Sequence, residues 1–179
     1  DRDYVLDRCD MIDAASGFRE AGMREVRFAS EKSKEVKARA ADAQFFDLNR
    51  INLVAGRLYT TEEVNNYGNV TVISEQVATD LFGNDDPLGK LITCDGLTLE
   101  VIGVCEKLEM MGERSDRLFF VPLRTATKKW LGGDNIDLML LRPKEGYTVS
   151  EAMEQVWQAL MVKTNNRTVF TVESSENVL

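Results

Sequence analysis

Leu81 to Ile92 reads LFGNDDPLGKLI, and its two glycines, lysine and turn proline are the residue types of a loop that cradles phosphate. Such a loop needs four residues between its first glycine and the Gly-Lys pair, followed by Ser or Thr for magnesium. Here five residues separate Gly83 from Gly89, and Leu91 stands where the hydroxyl belongs. Asp85 and Asp86 would set negative charge against a polyphosphate, where backbone N–H groups have to dominate. The order of elements is reversed as well, because this loop leaves a helix and enters a strand. Gly83 is therefore expected to end a helix, Pro87 to set a turn and Gly89 to permit the next bend.

The rest of the chain is poor in reactive constellations. It contains no histidine, which removes Ser-His-Asp and Cys-His pairs, His-ligated zinc and the commonest general base near neutral pH. The acid pairs Glu62/Glu63, Asp85/Asp86 and Glu173/Glu176 lack the apolar flanks that raise a carboxyl pKa, and they read as solvated faces or turns. Asp80, Asp85 and Asp86 do not have EF-hand spacing. Ser74 and Ser150 stand at helix starts and read as caps. Cys9, Cys94 and Cys105 are odd in number, match no metal spacing and read as small buried hydrophobes. A Cys94–Cys105 bridge would require their strands to meet. No catalytic residue, cofactor or metal site is expected.

Two features bear on contacts. Met110 and Met111 lie side by side in the charged loop EKLEMMGERSDR, where flexible apolar side chains mark a partner contact or anchor the loop on the domain. Trp130 and Trp157 sit on apolar helix faces and read as core. The net charge of −8 is uneven: residues 51–100 carry eight acidic side chains against Arg57 and Lys90. An acidic chain without a basic stripe does not seek nucleic acid or anionic lipid. Apolar runs such as Leu138 to Leu141 fall far short of the ~20 residues of a membrane span. Asp1, Asp3 and Asp7 stand where a signal peptide would be basic, so the chain is expected to be soluble and without such a leader.

Several elements must position these residues. Val5, Cys9 and Ile12 share one face of a helix expected over Asp3 to Ser16, with Gly17 and Gly22 at its exit. Arg24 to Ala29 alternates as a strand. Glu35 to Ala41 favours helix by composition but alternates as a half-buried strand, and strand is the reading taken. Phe45 to Leu48 forms a buried turn or short helix, and Thr60 with Glu63 has capping-box spacing. Asn69 to Ile73 is a strand, followed by a helix over Glu75 to Phe82. Asp95-Gly96 between two apolar runs signals a type I′ hairpin. After the loop from Glu106 to Asp116 come a strand over Arg117 to Pro122, a helix TATKKWL stopped by Gly132-Gly133, and a strand over Asn135 to Arg142. Thr148 and Glu151 cap a helix with an apolar stripe of Met153, Val156, Trp157, Leu160 and Met161. Arg167 to Glu173 reads as a last strand. The class is α+β or mixed α/β, long enough for one real core.

The middle of the chain resembles a known family. FFDLNRINLVAGRLYTTEEV, then VTVISEQVATDLFGNDDPLGKLITCDGLTLEVIGV, then LFFVPL follow the order seen in MacB-like periplasmic domains of ABC-transporter permeases, the MacB/FtsX/LolC superfamily. The telling pieces are Gly56-Arg57, Leu81-Phe82-Gly83, Asp86 to Lys90, and Val101 to Val104. Resemblance extends over roughly residues 36–123. It implies an α+β fold in which a porter-like subdomain, residues 1–65 and 124–179, receives a smaller, mainly β insertion, residues 66–123. It further implies a non-catalytic extracytoplasmic module on the periplasmic side of the bacterial inner membrane. That module would work by mechanotransmission with the transmembrane helices and nucleotide-binding domain of its own permease. An adaptor protein or lipoprotein is the implied partner, and the parent is implied to be a dimer. Two other readings stay open from the residues alone. One is a free-standing small-molecule or peptide sensor with a pocket lined by Trp130, Trp157 and methionines. The other is an enzyme working through carboxylates.

Overall fold

The structure, a computed structural model, describes residues 2–29, 32–110, 113–133 and 135–174. The expected first helix is short: α1 spans Arg2–Arg8, and its last turn closes with Cys9 N donating to the Val5 carbonyl at 2.8 Å. Strand β1 then runs over Ile12–Phe28 and takes in Ile12 to Ser16, which the helical pattern had claimed. Ala15, Ser16, Gly17 and Phe18 are all buried in it. The reason is tertiary: β1 is antiparallel to β10 (Leu138–Pro143) across Ala14–Phe18, and from Phe18 onward to β2 (Lys32–Ala41). Two partners outweigh a weak local preference for helix.

Between these lie α2 (Gln44–Leu48), β3 (Leu53–Gly56), α3 (Thr61–Asn65), β4 (Val70–Ser74), α4 (Glu75–Phe82), β5 (Leu91–Cys94), β6 (Leu97–Cys105), β7 (Leu108–Met110), β8 (Glu113–Ser115), β9 (Leu118–Pro122) and α5 (Leu123–Ala126). A π-helical turn, Thr127–Leu131, leads to Gly132-Gly133, and α6 (Val149–Lys163) follows β10. The loop expected over Glu106 to Asp116 holds the β7–β8 hairpin. Arg167 to Glu173 forms no regular strand, and Val169 is 74% exposed. Its alternating side chains lack the neighbouring ladder that would fix a strand.

The main sheet has the order β10-β1-β2-β9-β4-β6-β3, and β5 joins β6 back to β1. A ring of six strands, β1-β2-β9-β4-β6-β5, therefore closes on itself. β2–β9 and β4–β6 are its parallel pairs. The expected insertion is hydrogen-bonded into the same sheet as the chain's first strands, because β9 pairs with β2 along Lys37–Ala41.

Strand alternation sorts the apolar side chains. In β9, Phe119 and Val121 face the ring interior with Val36, Ala38, Ile73, Leu99 and helix α4, while Leu118 and Phe120 face outward beneath α2 and α3. That outer layer is aromatic: Phe18 stacks on Phe45 at 5.2 Å, and Phe46 meets Tyr59 edge-on at 4.9 Å. A third cluster lies under α1 and α6, where Val5, Cys9, Ile12, Ala152 and Val156 are buried against Met139 and Leu141 of β10. The architecture is α+β, with helices from both ends of the chain on a β core.

Candidate coupling and contact surfaces

The glycine-proline loop can be judged by where its N–H groups go. Leu88 N donates to Asp86 Oδ1 at 3.0 Å, Gly89 N to the Val101 carbonyl at 2.8 Å and Lys90 N to the Pro87 carbonyl at 3.2 Å. The donors a phosphate would require are spent on the turn and on β6. Gly56 and Gly103 pair across β3 and β6 beside it. A Cβ on Gly56 would lie 2.2 Å from the Ile102 carbonyl oxygen and 2.7 Å from Leu88 Cδ2. Three of the four pieces that carried the resemblance, Gly56-Arg57, Asp86 to Lys90 and Val101 to Val104, thus meet at one close backbone crossing.

A buried carboxylate ties several elements together. Asp42, 2% exposed, accepts from Ser16 Oγ at 2.8 Å, Gly17 N at 2.6 Å and Phe45 N at 3.2 Å. Arg2 Nη1 of α1 reaches it at 3.2 Å. Beside it the Tyr59 hydroxyl donates to the Ala41 carbonyl at 3.0 Å, and burial pushes this phenol's pKa well above the ordinary value. Sequence reasoning passed over Asp42. Its signal is a lone charge between Ala40-Ala41 and Phe45-Phe46, in one of the most apolar stretches of the chain.

The ring's seam is narrow, since β1 and β5 pair only at Val26–Cys94 and Arg27–Thr93. Side chains reinforce it. Arg24 forms an ion pair with Asp95 in the β5–β6 turn, and its guanidinium lies 4.3 Å over the Trp130 ring. Trp130 Nε1 donates to the Asp95 carbonyl at 3.3 Å. Just before this seam, Arg19 Nη1 donates to the Gly132 carbonyl at 2.9 Å, and Glu20 N to Asp137 Oδ2 at 2.9 Å.

In the terminal layer, Thr148 and Glu151 form the expected capping box. Tyr4 Oη donates to the Ala159 carbonyl at 3.2 Å, and Gln155 links Met11 N (3.0 Å) to Asp10 (2.6 Å). The α6 stripe is rotated from its expected burial: Ala152 and Val156 are buried, whereas Trp157 is 41% exposed. Trp157 is therefore not core, because α1 and β10 cover only the Ala152/Val156 side of α6. Trp130 packs on the ring's core, so the two tryptophans belong to different layers.

Other sequence candidates resolve individually. Ser74 does not cap α4; its hydroxyl donates to the Asp116 carbonyl at 2.6 Å and accepts from Leu118 N at 3.0 Å, joining β4 to β9. Ser150 follows the true cap, Thr148. Glu63 is held bidentately by Arg57 at 2.8–2.9 Å, and Asp80 by Arg117 at 2.8 Å. All three cysteines are free and buried. Cys94 sits opposite Leu97, eight residues along β6 from Cys105, so roughly 26 Å separates them and no bridge can form. Met111 and the side chain of Met110 lie outside the described residues. Among those described, no cluster of acidic residues and cysteines could hold a metal, and no helix is long and apolar enough to cross a membrane.

A strand ring whose charged and aromatic side chains join layer to layer, with both terminal helices on one face, defines the class: a closed-sheet α+β module. The model for the MacB-like periplasmic core domain matches residues 1–159, and the chain belongs to that family. It is 30% identical over 138 residues to the macrolide export ATP-binding/permease protein MacB of Burkholderia pseudomallei, covering 76% of this chain and 21% of that protein. With the protein of the same description from Mannheimia succiniciproducens it shares 25% over 131 residues, 73% of this chain and 20% of that one. The chain spans about a fifth of the length of these curated relatives. In fold it is similar to the periplasmic region of MacB from Actinobacillus actinomycetemcomitans, with a TM-score of 0.85 at 20% identity over 97% of this chain and 77% of that one. It is also similar to the extracellular domain of the noncanonic ABC-type transporter YknZ from Gram-positive bacteria, with a TM-score of 0.79 at 17% identity over 94% and 85%.

Proposed function

We propose that this chain is the non-catalytic extracytoplasmic module of an ABC-transporter permease on the periplasmic side of the bacterial inner membrane. In this reading it couples ATP-driven movement of the transmembrane helices to export or release of a substrate, and it docks a periplasmic adaptor or lipoprotein, within a dimeric parent. The observation that carries the reading is the terminal layer. α1 and α6 pack together over Val5, Cys9, Ala152 and Val156, and Val172 lies against the same cluster. Displacement of the chain's terminal elements therefore reaches one layer, and that layer is built on β1 and β10 of the main sheet. Packed cores transmit strain because they are close to crystalline density. The partly exposed Trp157 is the aromatic anchor we assign to the docked partner.

The test is a domain exchange in the parent permease. Replacing this module with an unrelated folded domain of equal end-to-end spacing should leave ATP hydrolysis intact and abolish export. Trp157→Glu should keep the fold and weaken capture of the adaptor about tenfold or more. Export that survives the exchange would end the coupling reading.

A further inference from the structure

Arg2 lies in the first turn of α1, yet its guanidinium leaves the terminal layer and reaches the buried carboxylate of Asp42, between β2 and α2. The same carboxylate is bonded to Ser16 and Gly17 of β1 and to the start of α2 at Phe45. Arg2 Nη1 also lies 3.4 Å from Gln44 Oε1 of α2, and its other terminal nitrogen, Nη2, holds Asp3 at 2.7 Å. The buried anchors of α1 are of a different kind. Val5 and, just past the helix, Cys9 face Ala152 and Val156. The neutral hydrogen bond from Tyr4 Oη to the Ala159 carbonyl gives the layer one directional tie. The apolar contact that makes up most of the layer is non-directional and tolerates sliding of one helix on another. A charge-assisted hydrogen bond to a fixed carboxylate is directional and does not.

We propose that the Arg2–Asp42 pair is a mechanical latch: it makes α1 move together with α2 and β1, so displacement of α1 enters the sheet instead of being lost as slip over α6. The role in transport rests on the coupling function proposed above, but the latch is a property of this chain and is tested on it directly. Asp42 is held in place by three further hydrogen bonds, so it stays positioned when Arg2 is removed. That makes Arg2→Ala the informative variant and Asp42→Asn the one exposed to loss of fold.

Amide hydrogen exchange on the whole chain reads the latch. In Arg2→Ala, the amides of Leu6 to Cys9 should exchange about tenfold faster, while those of β4 and β6 keep their rates. Arg2→Lys should fall between, because an ammonium lacks the planar fork that holds Asp42 and Asp3 together. Unchanged exchange in α1 of Arg2→Ala would overturn the latch. In the parent permease, Arg2→Ala should lower export with ATP hydrolysis and adaptor capture preserved. A loosened α1 with undiminished export would overturn the route of transmission, whereas the domain exchange described above bears on the coupling function itself.

Discussion

Gly56 and Gly103 face one another across the β3–β6 pair with no room for a Cβ on either: each would come within 2.2 Å of a backbone carbonyl oxygen. Arg57 N donates to the Ile102 carbonyl at 2.9 Å through this gap, and Leu88 fills the space beside Gly56. The crossing joins the edge strand to the ring. Gly103→Ala should therefore cost about 3 kcal/mol or more, since the obstruction is backbone and cannot swing aside. Gly83→Ala, where the strain is backbone alone, with φ 64° and ψ −117° in open space, should cost about 1–3 kcal/mol. Urea denaturation of the two variants checks the ordering, and equal midpoints would contradict it.

The seam between β1 and β5 depends on Arg24. Arg24→Ala removes the ion pair to Asp95 and the stacking on Trp130. Asp95 is half exposed, so the ion pair is partly screened by solvent and the expected loss is about 1–2 kcal/mol. In a Trp157→Phe background the fluorescence reports Trp130 alone, and its emission should shift to the red as the ring becomes hydrated. Exchange at Val26 and Arg27 should rise with it. Arg24→Lys should recover only part, for want of a planar stacking surface.

Burial governs the thiols. Cys94 and Cys105 are both pushed up to about 12, chiefly by desolvation. At pH 8 they remain protonated and enclosed, and the thiolate is the reactive form. A thiol reagent should label the native chain slowly and all three cysteines quickly in denaturant. Rapid native labelling of Cys94, which lines the ring interior at the β1–β5 seam, would show that the ring opens.

The capping boxes give the acid limb of stability. A hydrogen bond from Arg57 chiefly holds the Glu63 pKa below its ordinary 4.5, and the Thr148 N–H does the same for Glu151. A carboxylate with a depressed folded pKa contributes stability above the unfolded value and loses it as pH falls through the lowered folded value. The urea midpoint should accordingly fall as pH drops from about 5 toward 3. Glu63→Gln should be less stable at neutral pH and show a shallower acid limb.

Features set within a few residues were legible in the sequence. Thr60/Glu63 and Thr148/Glu151 cap their helices reciprocally, and Asp95 and Gly96 have φ of 42° and 80°, as a type I′ turn requires. The alternation of Val36, Ala38 and Ala40 placed β2 correctly against its helical composition, because one face of that strand is the ring's interior. The resemblance carried by Gly56-Arg57, Asp86 to Lys90 and Val101 to Val104 fixed the family, and the structure supplies its cause in one backbone crossing.

Tertiary structure alone decided where distant partners compete with local preference. Ile12 to Ser16 is strand because β10 lies beside it, Ser74 serves β9 instead of capping α4, and Trp157 is exposed because α1 and β10 cover another side of its helix. Asp42 is tolerated in the core because donors from β1, α1 and α2 converge on it. A cap or a turn closes its hydrogen bonds among near neighbours, so its residues announce it. A buried carboxylate or a ring seam is satisfied by groups tens of residues away, and only folding brings them together.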